Sequence, residues 1–478
     1  MKRSQSMSQT HPVIIWLRRD LRLADNPALH AGVQSGKPLI ILYIDELNKG
    51  RALGGASNVW RHHSLTALSK SICERSGQLI LRRGVASEIL DEIIAQSGAD
   101  EIHWNRRYEG WARDIDESIK TNLKSRGLRA ESHKANVLTE PWEVATKTGG
   151  FYKVFTPFWR AARAHFTVDP SLPSPKHLNC LKGLVSDEVS DWDLLPTSPD
   201  WGSKMMEHHT AGEAFAMARL ERFLGGPVQD YAAQRNRPDD ETGTSKLSPH
   251  QAFGEISPRQ VWNAAYGSGG DSDKFLSEIG WREFSYTLLF YNPELASQNY
   301  KADFDSFPWD SRAPLVEAWR RGQTGYPFVD AGMRELWQTG WQHNRVRMVC
   351  ASFLIKHLLT DWRVGEDWYW DTLLEADPAS NAASWQWVAG SGADAAPYFR
   401  IFNPFTQGEK FDPNGDYVRK YVPELAKLPK KYIHRPWTAP KDVLAQADVV
   451  LGQKYPKPIV DHKIARERAL AGYKACRA

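Results

Sequence analysis

Val13-Ile-Ile-Trp-Leu-Arg18 opens a series of short strand-like runs, the first of them apolar, and four more follow it at intervals long enough for a helix: Pro38-Leu-Ile-Ile-Leu-Tyr-Ile-Asp45, Gln78-Leu-Ile-Leu-Arg-Arg83, Asp100-Glu-Ile-His-Trp-Asn105 and the more polar Arg129-Ala-Glu-Ser-His-Lys134. Runs this short, most of them carrying Ile, Leu or Trp, read as strands. The amphipathic segments near 57–76, 86–98 and 111–126 read as the helices between them. Such alternation predicts a parallel sheet covered by helices on both faces. Residues 12–135 are therefore expected to form a Rossmann-like α/β domain with five parallel strands. No Gly-x-Gly-x-x-Gly follows the first strand and no P-loop sequence occurs, so the usual phosphate-cradling loops are absent from it.

Outward from that domain the pattern changes twice. Residues 136–210 lose periodicity and fill with proline, serine and tryptophan, as in Thr139-Glu-Pro-Trp-Glu-Val144 and Asp169-Pro-Ser-Leu-Pro-Ser-Pro175. They read as a connector laid over the surface, with short helices in it. From 211 to 478 the pattern is helical, with start signals at Ser257-Pro258 and Asp271 to Asp273. A larger, all-α C-terminal domain is expected there. A chain of 478 residues is too long for one core, which agrees with this division.

Composition narrows the class of function. With 41% hydrophobic and 25% charged residues the chain has the make-up of an ordinary globular protein. No apolar run is long enough to span a membrane, and the first eleven residues lack a secretory apolar stretch, so a cytoplasmic location is expected. Cys73, Cys180, Cys350 and Cys476 lie far apart and form no Cys-x-x-Cys, which points to reduced thiols and gives no sign of a metal site. From Pro404 to Ala478 there are fifteen Lys or Arg against eight Asp or Glu, in a chain whose net charge is only +4. A basic face toward a polyanion would produce that asymmetry, and so would a solvated lysine-rich surface. Twenty tryptophans are unusual, because this side chain is normally confined to cores and interfaces.

Four clusters in the helical region carry potential chemistry. Tyr231-Ala-Ala-Gln-Arg-Asn-Arg-Pro238 is followed by Gly243-Thr-Ser-Lys-Leu-Ser-Pro249, where hydroxyl residues surround a turn that enters a helix. Free backbone N–H groups there offer a phosphate seat, although Ser and Thr in such places also serve simply as caps. Glu278, Trp281 and Arg282, spaced i, i+3, i+4, bring an acid, an indole and a guanidinium to one helical face. That set suits a proton donor beside a stacking surface, or equally a partly buried ion pair against a core tryptophan. In the segment from Gly340 to Met348, Asn344 and Met348 share a face, forming a small wall for a flat uncharged group, while His343 reads as a structural histidine. From Leu374 to Trp387 come two carboxylates, an amide and two indoles, with Trp385 and Trp387 pointing opposite ways on a helix.

Taken together these segments resemble the photolyase/cryptochrome family from about Val13 to about Leu425. The most specific of them are Gly280-Trp-Arg-Glu-Phe284, Gly340 to Leu354, Trp385-Gln-Trp387 and Ala396 to Asp412. The resemblance implies FAD held folded in the helical domain, with Tyr231, Thr244, Ser245, Leu247 and Ser248 on its phosphates and ribityl chain. It places Arg282 and Asp377 at the cofactor and Asn381 opposite flavin N5. Arg347 would pair with a carboxylate of the Glu375/Asp377 segment, where the family usually has Asp in place of Glu375. A pocket for a flipped-out cyclobutane pyrimidine dimer maps onto Glu278, Trp281, Asn344, Met348 and Trp387. Arg345, Arg400 and Lys410 would grip DNA phosphates. Trp385, Trp362 and Trp309 fall at the positions of the family's electron-relay tryptophans.

Within the family, (6-4) repair is associated with two histidines where this chain has Asn344 and Met348, and plant-type cryptochromes carry aspartate where it has Asn381. Asp371 to Asp377 nevertheless looks closer to plant cryptochromes, which suggests the class III group of dimer photolyases. The implied activity is light-dependent repair of UV-damaged DNA by a monomer that uses no membrane. A blue-light photoreceptor without repair is the alternative. An antenna pigment, 5,10-methenyltetrahydrofolate, is also implied, with Asn105, Tyr108 and Glu109 in the corresponding segment.

Overall fold

The structure is a computed structural model that describes residues 11–47, 50–165, 168–394 and 399–477. Its N-terminal part is built on five parallel strands, β1 (Val13–Leu17), β2 (Leu39–Glu46), β3 (Leu79–Gly84), β4 (Glu101–Asn105) and β5 (Arg129–His133), in the order β3-β2-β1-β4-β5. The strand with the densest apolar run, β1, is buried at every residue and sits at the centre. Alternation of side chains then builds two cores. Val13, Ile15 and Leu17 face α1 (Pro27–Gln34) and α2 (Gly55–Cys73), whereas Ile14 and Trp16 face α3 (Ala86–Ser97) and α4 (Gly110–Ser125).

Helix α1 was not legible in the sequence pattern. It has only eight residues, and its stability comes from its ends and its packing: Pro27 stands at the first position and the Asn26 side chain accepts from Leu29 N at 3.1 Å. Gly32 allows it to lie flat on the sheet, since a Cβ there would fall 2.4 Å from Ile15.

The connector returns along the outside of the sheet, with Leu39 N donating to Asn179 O, and contributes one longer helix, Phe155–His165. Beyond it the described residues of the chain are helical, apart from 3-10 turns and loops. Four helices matter below: α5 (Ser272–Tyr291), α6 (Asn344–Ser352), α7 (Trp362–Thr372) and α8 (Pro378–Ala389). The Ser257-Pro258 signal forms a full capping box, and Asp271 precedes α5 as its cap residue. The two parts are joined by specific polar contacts. Ser57 Oγ donates to Leu373 O at 2.9 Å, Arg22 to Gly254 O at 2.9 Å, and Arg259 Nε to Asp25 at 2.8 Å. Among the described residues no helix is long and apolar enough to cross a membrane.

Candidate active site

Glu278 and Trp281 leave α5 in different company. The Glu278 carboxylate pairs with Arg235, whose guanidinium lies 5.4 Å over the Tyr231 ring. Trp281 lies flat on Phe155, with centroids 3.8 Å apart and planes 9° apart. Arg282 turns instead to the connector, donating to Asn136 O at 2.6 Å with its charge 4.5 Å over Tyr286. Beside it Glu283 is sealed in, accepting from Leu138 N at 2.7 Å and Thr139 N at 3.1 Å. Burial pushes this carboxyl up to about 7, against the pull of Arg282 and the two N–H groups.

Helix α6 starts at exposed Asn344, with half-buried Met348 one turn further on. His343 is its cap, accepting from Arg345 N through Nδ1 at 3.1 Å, and burial together with Arg345 and Arg347 pushes it down to about 3. It is a neutral structural imidazole, as the sequence suggested. Arg345 reaches Asn236 Oδ1 at 2.7 Å and covers the Phe411 ring at 4.5 Å. Burial first, then the charges of Arg235 and Arg400, push its guanidinium below the ordinary value. Across α8, which packs against α6, Trp387 Nε1 donates to Asp394 O at 3.1 Å, and the Asp394 carboxylate accepts from Phe155 N at 3.2 Å.

Two chains of contact therefore frame one region: Glu278, Arg235, Asn236 and Arg345 on one side, and Trp281, Phe155, Asp394 and Trp387 on the other. Arg400 and Lys410 are exposed beyond it. Ala396 to Tyr398, the start of the fourth resemblance segment, lie outside the described residues.

Deeper in, Arg347 pairs with Glu375 and donates from Nε to Gln342 O at 2.7 Å. Ser248 Oγ donates to Glu375 Oε1 and accepts from Trp341 Nε1, each at 3.3 Å. Ser248 begins a helix of only five residues, preceded by buried Leu247. Asp377 caps α8, accepting from Ala379 N at 3.0 Å, Ser380 N at 2.7 Å and the Tyr286 hydroxyl at 2.8 Å. Buried Asn381 donates to Glu366 at 2.7 Å, and Glu366 in turn holds Arg51 of the α/β part at 2.7 Å. Thr244 Oγ1 and Glu375 Oε2 are both buried with no protein partner. A buried polar atom without a partner is costly, and a polar ligand would supply partners for these two. A flavin nucleotide, rich in hydroxyl and phosphate groups, suits these donors and acceptors; Ser245 and Lys246 continue the turn, and Tyr231 shares a core cluster with Leu247.

Trp385 leaves the other side of α8, edge-on to Tyr369 at 5.0 Å. It comes close to α7 because residue 365 is glycine; a Cβ there would fall 2.1 Å from the indole. Trp362, fully buried, starts α7 and donates to Asn299 Oδ1 at 2.9 Å, while Trp309 is half-buried against Phe307 at 4.3 Å. Exposure therefore rises from the first two indoles to the third.

The three antenna residues do not share a surface. Asn105 is spent inside the sheet on Asp20 at 2.5 Å and Asn26 at 2.8 Å, and Tyr108 is buried edge-on to Tyr286 at 5.8 Å. Glu109 is half-buried where Gly110 abuts Pro293 of the helical part. Sequence reasoning also missed partners. Arg235 and Asn236 stood in a quoted segment but without a role, whereas Phe155 and Asp394 carried no local signal at all.

Residues 13–176 match the family described as DNA photolyase, and residues 275–475 match the FAD binding domain of DNA photolyase. A deoxyribodipyrimidine photo-lyase of Agrobacterium fabrum is 53% identical over 98% of each chain, and cryptochrome-1 of Arabidopsis thaliana is 38% identical over 95% of this chain and 69% of its own. The crystal structure of a class III photolyase from Agrobacterium tumefaciens superposes with a TM-score of 0.96, covering both chains completely at 52% identity. The chain belongs to the photolyase/cryptochrome family and carries that family's FAD-binding domain.

Proposed function

We propose that this protein is a class III deoxyribodipyrimidine photolyase, which repairs cyclobutane pyrimidine dimers in DNA under light. The observation that carries the reading is the framed region itself: an acid, Glu278, and two indoles, Trp281 and Trp387, lie along two chains of contact beside Arg345, whose side-chain acceptor is a neutral amide. When bound, reduced FAD supplies a photoexcited electron. Tyr231, Thr244, Ser245, Leu247 and Ser248, with Arg347 and Glu375, hold it; Arg282, Asp377 and Asn381 shape the walls around it.

The protein's own work is binding, orientation and charge placement. A dimer cannot be reached inside the duplex, so it must be flipped out, and Trp281 and Trp387 offer it apolar faces. Asn344 and Met348 position its two rings. Glu278, once protonated and released from Arg235, donates a hydrogen bond to a pyrimidine carbonyl oxygen, where negative charge develops as the dimer accepts an electron and its cyclobutane bonds open. Arg345, Arg400 and Lys410 hold backbone phosphates. Trp385, Trp362 and Trp309 form a route for electrons to the cofactor from the surface.

The antenna is 5,10-methenyltetrahydrofolate at the junction of the two parts. Glu109 is the residue there able to face a ligand, with Asn105 and Tyr108 supporting the wall. The protein acts as a monomer in the cytoplasm.

Illumination of the reduced, FAD-bound protein with an oligonucleotide containing one thymine dimer tests this directly. Repair should follow light dose, and Glu278→Ala should slow it about a hundredfold, the scale of losing one charge-stabilising donor. Met348→Ala should weaken lesion binding. Normal flavin photochemistry without any repair would favour the photoreceptor alternative.

A further inference from the structure

Away from the flavin region, strands β4 and β5 bring together a set of ligand-bearing side chains that the family reading does not use. Their register pairs His103 with Glu131, and His133 stands two residues further along β5, so all three project from the same face of the sheet. Their ligand atoms lie within 4.8 Å of one another. His103 Nδ1 is 3.0 Å from His133 Nε2, and His103 Nε2 donates to Glu101 Oε1 at 2.9 Å. We propose that His103, His133 and Glu131 bind a divalent zinc-class cation.

The geometry needs little change to accept one. Two nitrogens bound tetrahedrally to zinc at their usual distance stand roughly 3.3 Å apart. The Glu101 contact fixes the proton of His103 on Nε2, leaving its Nδ1 lone pair facing His133, which is how an outer carboxylate orients a metal-binding imidazole. Without metal, His133 Nε2–H donates to that lone pair. With metal, His133 carries its proton on Nδ1, and no net proton is released. Glu131 is held by Arg129 at 2.8 Å, but the arginine is 62% exposed, and exposed pairs of this kind exchange readily. Lys37 holds the other oxygen of Glu101 at 2.9 Å and keeps that carboxylate out of the first coordination shell. Imidazole and carboxylate together suit zinc, and the half-exposed flank leaves a fourth position for water. A cation there would clamp edge strand β5 to β4. The cysteine spacing gives no hint of it, because the ligands alternate along two strands of low-complexity-free sequence some thirty residues apart.

The test uses the full-length, untagged, FAD-bound protein, dialysed against chelator-buffered zinc and assayed for metal by mass spectrometry. One zinc per chain is expected for the wild type. His133→Ala, at the half-exposed end of β5, should lose affinity by more than about a hundredfold, and Glu101→Gln by at least about tenfold. Intact flavin absorbance and far-UV circular dichroism verify folding of each variant. Absence of zinc from the wild type overturns the proposal. So does uptake that survives His133→Ala, since adjacent pairs such as His62-His63 and His208-His209 would then account for it.

Discussion

Two groups of arginines in this protein each hold one member that is treated in the opposite way to the other, Arg107 in the first and Arg345 in the second. Under the C-terminal ends of the central strands, Arg107 meets Glu46 at 2.6 Å and Asp116 at 2.6 Å, and Arg18 meets Asp116 at 3.1 Å. Burial pulls Arg107 down, yet the two carboxylates outweigh it and hold its guanidinium above the ordinary value. At the rim of the helical part, Arg345 has a neutral amide as its acceptor and the positive charges of Arg235 and Arg400 for neighbours, and its guanidinium falls below that value. Matched charge makes a scaffold, whereas charge left unmatched on a folded surface is available to a polyanion. The fold can tolerate such repulsion because the matched region and the aromatic cores supply its stability.

The largest expected effect comes from unmatching the first group. Asp116→Ala leaves buried Arg18 and Arg107 short of a carboxylate, and breaking a buried pair of this kind costs about 3–5 kcal/mol. Chemical denaturation should show the loss in full; a change within noise would mean that these ion pairs are ornaments on an apolar core.

A contrast within one helix gives the next effect. Glu278 faces outward to Arg235, whereas Glu283, five residues on, is sealed against the connector. A carboxyl raised from 4.5 unfolded to about 7 folded binds its proton more tightly in the native state. Its contribution is therefore fully present below pH 4.5 and is lost as pH rises through 7. The full span amounts to on the order of 3 kcal/mol. Glu283→Gln should flatten the fall in stability between pH 4.5 and 7, as read from urea midpoints across that window. An unaltered slope would assign the pH dependence to other buried acids such as Glu335 or Asp412, each also pushed up to about 7.

The two regions also differ in how much of them the sequence reveals. Strands β1 and β2 are visible because parallel strands buried on both faces read as unbroken apolar runs, whereas β5, Arg-Ala-Glu-Ser-His at the sheet edge, shows only as a short segment one helix beyond β4. The same reasoning missed α1, whose eight residues are too few to establish a period. In the helical part the Arg347–Glu375 pair was anticipated from a resemblance, not from spacing. Phe155 under Trp281 was invisible, since it comes from the aperiodic connector more than a hundred residues earlier and its importance arises only from tertiary packing. The Asn105 amide misled for a related reason: a polar side chain at a strand end looks free in sequence, although here it fastens the first loop through Asp20 and Asn26.

The smallest effect is the most discriminating. Arg345→Ala removes a guanidinium whose acceptor is a neutral amide, so folding stability should change by no more than about 0.5 kcal/mol. If Arg345 is held in reserve for DNA, affinity for dimer-containing duplex should weaken about equally for every flanking sequence. The slope of log affinity against log salt should become shallower by about one, the signature of one lost phosphate contact. Repair at saturating DNA should stay unchanged, because the residue lies outside the set that touches the pyrimidine rings. An unchanged salt slope together with a clear loss of stability would move Arg345 into the class of Arg107. The rim would then be one more internal network, and the basic excess near the C-terminal end of the chain would have to supply the DNA contacts alone.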